Sequence, residues 1–125
     1  MKLVTITYWL STAILALFMG AGGIADILLV EQIVTGVTHV GFPAYVIPFF
    51  GVMKILGIIT ILVPQLGRLR EGAYAGLLFY SIGIIYVHIG SGDGAAEIFP
   101  GIVAVALVLT SYITSLKVKG LYGAK

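Results

Sequence analysis

The sequence predicts an all-α integral membrane protein, a four-helix bundle with its N- and C-termini in the cytoplasm. Three observations carry this prediction. Hydrophobic residues make up 60% of the 125-residue chain and charged residues 10%, where a soluble domain has roughly 25% charged; the mean hydropathy is +1.15. Four apolar stretches each approach the roughly 20 residues that a helix needs to cross the hydrocarbon core. The basic residues between them fall almost entirely on one side of the bilayer. Disordered and collagen-like chains are excluded, because the apolar content is too high and glycine has no triplet period.

The first span covers residues 5–29. Its apolar run exceeds the 7–15 residues of a secretory signal core, so it is read as a retained helix. Residues 31–40 alternate polar and apolar side chains without the length to span, which predicts a short interfacial segment or lid. Gly41, Phe42 and Pro43 lead into the second span, 45–63, where Pro48 falls near the first turn and Pro64 closes the helix. The third span covers 73–89 and ends in Gly90-Ser91-Gly92-Asp93-Gly94; the fourth covers 98–116. The whole chain, 1–125, is read as one transmembrane domain.

With four spans, Lys2, Arg68, Arg70, Lys117, Lys119 and Lys125 share one side, opposite Glu31, Asp93 and Glu97, with Asp26 just below the latter. The positive-inside rule places the basic side in the cytoplasm and the protein in the plasma (inner) membrane as a multi-pass protein. There is no cysteine, which removes disulfide chemistry and thiolate metal sites, and the net charge of +2 without a basic patch excludes nucleic acid as a partner. No Walker loop, nucleophile elbow, zinc motif or dinucleotide fingerprint occurs.

Helices in lipid associate through small and polar residues, and each span carries such a stripe. The stripes are Thr12, Met19, Gly22, Gly23 and Asp26; Gly51, Lys54, Gly57 and Ile61; Tyr74, Ser81 and His88; and Glu97, Gly101, Ala104, Val108, Ser111 and Ser115. Gly76, Gly83 and Gly90 form a parallel row in the third span. Spacings of three, four and seven place each set on one helical face, and helix packing is the expected use of the glycines.

Lys54 lies near the middle of the second span, where a charged side chain costs about 2.5–3.5 kcal/mol and calls for a partner or a wet cavity. Asp26 and His88 lie near the outer ends of their helices, and the flexible lysine stem can reach outward to them. Two uses are open: a structural ion pair with His88 beside it, or the polar floor of a cavity in the outer half of the bundle. Tyr45 near the outer interface and Tyr80 and Tyr86 in the third span are further candidates to line it. His39 is expected in the outer loop, solvated or interfacial. Two histidines could ligate a haem, but nothing in the sequence fixes their facing geometry; no metal site is expected.

From His39 to Asp93 the chain resembles the DoxX-like family of small four-span membrane proteins. The resemblance rests on Gly41-Phe42-Pro43-Ala44-Tyr45, Gly51-Val52-Met53-Lys54-Ile55-Leu56-Gly57, Leu62-Val63-Pro64, Arg68-Leu69-Arg70-Glu71-Gly72-Ala73-Tyr74-Ala75-Gly76 and His88-Ile89-Gly90-Ser91-Gly92-Asp93. Gly72 and Val87 stand where many relatives carry tryptophan and serine. The resemblance implies a four-helix membrane bundle and a loose association with membrane redox systems. It maps the family pattern onto Tyr45, Lys54, Glu71, Tyr74, His88 and Asp93; Glu71, beside Arg68 and Arg70, is expected to anchor the cytoplasmic turn.

The expected function is binding of a small apolar or quinone-like molecule by Lys54, His88, Asp26, Tyr45 and Tyr80, with Glu71, Tyr74, Ser81 and Asp93 in support. No catalytic residue stands out and no intrinsic cofactor is expected, so electron transfer needs redox partner proteins. The rivals are a non-catalytic assembly or chaperone subunit, a small proton-coupled transporter, and a hydrolase or isomerase using Asp26 and His88. A homo-oligomer is left open.

Overall fold

The computed structural model describes residues 2–118; Lys119 and Lys125, used in the orientation reading, lie outside them. The described chain is all-helical: α1 (Lys2–Ile27), α2 (Glu31–His39), α3 (Ile47–Leu62), α4 (Arg68–Gly90) and α5 (Ala95–Ser115). Short 3-10 turns at Ala44–Val46 and Pro64–Leu66 lead into α3 and α4. Four segments, Lys2–Ile27, Ala44–Leu62, Arg68–Gly90 and Ala95–Ser115, are long and apolar enough to cross a membrane. The remaining helix, α2, is a nine-residue element at the end of the bundle away from the termini, here called the distal end.

Each long helix buries one narrow stripe. On α1 it is Tyr8, Ser11, Thr12, Leu15, Met19, Gly23 and Asp26. On α4 it is Arg70, Tyr74, Leu77 and Ser81, and on α5 Gly101, Ala104, Val108, Ser111 and Ser115. Steps mainly of three and four residues, strictly alternating on α4 and α5, are the pattern of a bundle seam. The large side chains elsewhere, such as Leu17, Phe79, Phe99 and Ile113, point outward, where lipid rather than water meets them. Around the bundle the order is α1, α3, α4, α5, with α5 back against α1 and α3 least closely packed on α4.

The tightest crossing is that of α1 on α3. A Cβ on Gly23 would stand 2.9 Å from the Gly51 carbonyl oxygen, and one on Gly51 would stand 2.8 Å from the Asp26 Cβ. Two glycines therefore let the backbones touch, which sets the distal end of α1 directly beside the middle of α3. Gly101 does the same for α5 against Ile85 of α4. The Gly76, Gly83 and Gly90 row does not pack: nothing lies within 4 Å of a Cβ at any of them. Gly76 follows Tyr74 by two residues, about 200° around the helix, so it faces away when Tyr74 faces in.

The helix α4 starts five residues before the apolar span read from the sequence, and its first turn takes Arg70 inside. Arg70 is 0% exposed, a correction to its reading as a charge of the cytoplasmic loop. Its Nε donates to the Ile61 carbonyl oxygen at 3.0 Å, a terminal guanidinium nitrogen to the Tyr8 hydroxyl at 3.3 Å, and the group lies 5.7 Å from the Tyr74 ring centre. Beside it, hydroxyls join three helices: Tyr74 to Ser111 at 2.7 Å and Ser111 to Thr12 at 2.6 Å. Polar groups in a low-dielectric core are tolerated when they satisfy one another, and this end of the bundle is closed.

Candidate functional site

The distal end is not packed solid. Between α2, α3 and α4 lies a cavity of about 420 Å³, within the range that takes a small organic ligand. Its walls are mostly apolar. Ile33, Gly36, Val37 and Val40 of α2 and its C-terminal flank, spaced i, i+3, i+4, i+7, roof it. Phe42 and Phe50 form an aromatic side, their rings 5.3 Å apart edge to face, and Phe50 continues to Tyr80 at 6.1 Å. Ile84 and Val87 of α4 complete the wall, and the polar lining groups include Asp26, Gln32, Lys54, Tyr80 and His88.

Lys54 starts at mid-membrane on α3 and bends toward the distal end. Its Nζ forms an ion pair with Asp26 Oδ2 at 2.9 Å and sits 5.0 Å from the centre of the Tyr80 ring. The lysine side chain is 14% exposed and the aspartate 4%. The Gly23–Gly51 crossing produces this pair, since only a helix as close as α1 brings a carboxylate to a short reach from α3. An ammonium has three protons, and its neighbours here are one carboxylate and one aromatic ring face.

His88 shares the cavity but not the ion pair. Its Nδ1–H donates to Asp93 Oδ2 at 2.7 Å, and Nε2–H of His39 donates to Asp93 Oδ1 at 2.8 Å. The local backbone explains this grouping. Gly92 has φ +78° at the end of α4, and the Asp93 amide returns to the His88 carbonyl at 2.9 Å, a helix-ending turn only a left-handed residue closes. That turn folds the Asp93 side chain back over His88. The hydrogen bonds from His88 and then from His39 hold the Asp93 carboxyl below the usual carboxylate range. An ionised carboxylate only accepts, which fixes both tautomers and leaves His88 Nε2 without a proton when the ring is neutral.

Of the residues singled out in the sequence, Asp26, Lys54, Tyr80 and His88 line this cavity. Tyr45 does not. It is 82% exposed, because the 3-10 turn Ala44–Val46 precedes α3 and directs it away from the helix's inner face; Phe42 and Phe50 occupy the aromatic wall instead. Tyr86 is likewise turned out, at 75% exposed. Tyr74 and Ser81 are buried in the core, Ser81 bonding its own helix at the Leu77 carbonyl, 2.8 Å away. Glu71 is exposed in the first turn of α4, where a carboxylate favours the positive end of the helix dipole. Sequence reasoning missed Gln32 and the role of His39, which is the last residue of α2 and a partner of Asp93.

The model of the DoxX-like family matches residues 10–110, which takes in every polar group of the cavity and the His39–Asp93–His88 bridge. The chain belongs to the DoxX-like family. No curated protein and no solved structure matches it significantly. This DoxX-like chain is therefore a multi-pass membrane protein whose chemistry must be read from its own residues. Among the described residues, no group of three or more His, Cys, Asp or Glu is placed to hold a metal ion.

Proposed function

We propose that this membrane protein binds a small, mainly apolar molecule with an oxygen-bearing ring, of the quinone class, in the distal cavity, as part of a membrane redox system. The observation that carries the reading is a part-buried ammonium facing an apolar cavity with hydrogen-bonding capacity left over. Lys54 would donate to a carbonyl oxygen and His88 Nε2 would accept from a hydroxyl, while Phe42, Phe50 and Tyr80 flank the ring. Asp26 pairs with the lysine and aims it. Such a ligand carries the redox chemistry itself, and electrons come from a partner protein; the chain's residues bind, orient and exclude water. The basic residues favour a cytoplasmic terminal end, which puts the cavity in the outer half of the membrane.

The test is direct binding of a short-chain ubiquinone or menadione to the purified protein in nanodiscs. Lys54→Met weakens binding about tenfold or more, the worth of one charge-assisted hydrogen bond. Gly83→Leu fills the cavity from a position where a side chain meets no protein atom, and removes binding while the fold stays intact. Unchanged affinity in both variants rules out the cavity as the binding site. A second reading, a subunit that docks a partner helix, is favoured by the open space in front of Gly72 and Gly76 on α4; a stoichiometric partner lost on Gly76→Leu but kept on Lys54→Met would select it.

A further inference from the structure

We infer that α2 is the door of the distal cavity and that the His39–Asp93–His88 bridge is the catch that holds it shut. The inference builds on the cavity as a binding site and adds how that site is closed. Its first support is placement. The inner face of α2, Ile33, Gly36 and Val37, borders the cavity, so the space beneath the helix is void rather than packed side chain. None of its residues is buried, and Val30 gives it no side-chain cap. Apolar contact therefore does little to fasten it.

The second support is the attachment. Among the described residues, the bond from His39 Nε2 to Asp93 Oδ1 is the side-chain hydrogen bond that ties α2 to another part of the bundle; its remaining bonds run to neighbours within a few residues. Asp93 is itself fixed from the other side by His88 on α4. One carboxylate thus joins the C-terminal end of the roof to the wall of the cavity. The third support is the flanks. Leu29 with φ +54° and Gly41 with φ +106° bracket α2, and such left-handed residues are where a chain turns sharply. Leu29 pays strain for that turn, which a rearrangement of the segment would release.

A ligand-free experiment decides it, so its outcome is independent of what the cavity binds. The chain has no cysteine, so single cysteines report cleanly. Val37→Cys places a thiol on the cavity side of α2, and Thr35→Cys one on its exposed side. In nanodiscs, a water-soluble maleimide labels Val37→Cys slowly. Adding His39→Ala speeds that labelling about tenfold, the factor supplied by losing one charge-assisted hydrogen bond. Asp93→Ala gives the same acceleration, and the two together add no more than twofold, since they cut one connection. His39→Gln, which keeps a donor, restores slow labelling. Thr35→Cys labelling changes less than twofold throughout. Equal Val37→Cys rates with and without His39, or a matching rise at Thr35→Cys, overturns the inference.

Discussion

Arg70 and Lys54 are both basic side chains drawn among the helices, one near each end of the bundle, and their surroundings differ in kind. Arg70 is fully buried against a carbonyl, a hydroxyl and an aromatic face. The hydroxyl chain from Tyr74 through Ser111 to Thr12 fills the space beside it. Lys54 has one carboxylate and one ring, and beyond them a cavity of about 420 Å³. A cation surrounded by packed protein groups holds helices together. A cation fronting a cavity has, on the proposed reading, donors to offer a ligand. The depth of a charge in the membrane does not separate these roles; the packing around it does.

The largest effect belongs to the closed end. Arg70→Ala removes a long, fully buried side chain and its bonds to Tyr8 and Ile61, and costs about 3 kcal/mol of stability. Thermal unfolding in detergent shows a large drop, while quinone affinity per folded molecule stays within twofold. A ligand defect as large as that of Lys54→Met would erase the distinction between the two ends. Next comes Gly51→Ala, which drives a methyl into the Gly23 carbonyl and Asp26 Cβ. Overpacking there costs about 2 kcal/mol and separates Asp26 from Lys54, so stability and binding fall together. That joint loss marks the crossing as the device that builds the distal site.

Lys54→Met comes third in stability, at about 1 kcal/mol, because polar contacts between membrane helices are worth little more. The cost that remains is a lone Asp26 carboxyl, so adding Asp26→Asn recovers part of the stability without restoring binding. If the double variant is less stable than the single one, the pair is holding helices rather than awaiting a ligand.

The difference between the two ends also explains what was legible in the sequence. The four spans, and the meeting of Lys54 with Asp26, follow from apolar length, from helical spacing and from the need of a buried charge for a counter-charge. Arg70 was hidden because it precedes the apolar window, so it read as a loop charge. The spacing 70, 74, 77, 81 was the signal that it continues the inner stripe. His88 was expected beside Lys54 and instead bonds Asp93, five residues on. Periodicity cannot show that contact, because it depends on Gly92 leaving the helix through a left-handed turn. Tyr45 failed for a related reason: on a 3-10 turn ahead of α3, its direction is not set by that helix's period. Gly76 and Gly90 were misread as packing residues because small size permits close approach without requiring it.

The smallest effect lies in the pH response of the distal bridge. A carboxyl held below its ordinary value of 3.8 binds fewer protons folded than unfolded over the interval between the two pKa values. Its contribution is therefore complete above 3.8 and disappears as the pH falls through the depressed, folded value. Wild-type protein should melt a few degrees above Asp93→Asn at neutral pH, with the gap closing as acid protonates Asp93. The terminal end supplies the control. Ser111→Ala cuts a chain of hydroxyls that exchange no proton in this range, so its deficit stays level across the same titration. A gap for Asp93→Asn that is equally level would mean that its charge contributes nothing to the bridge, leaving α2 to be held by shape alone.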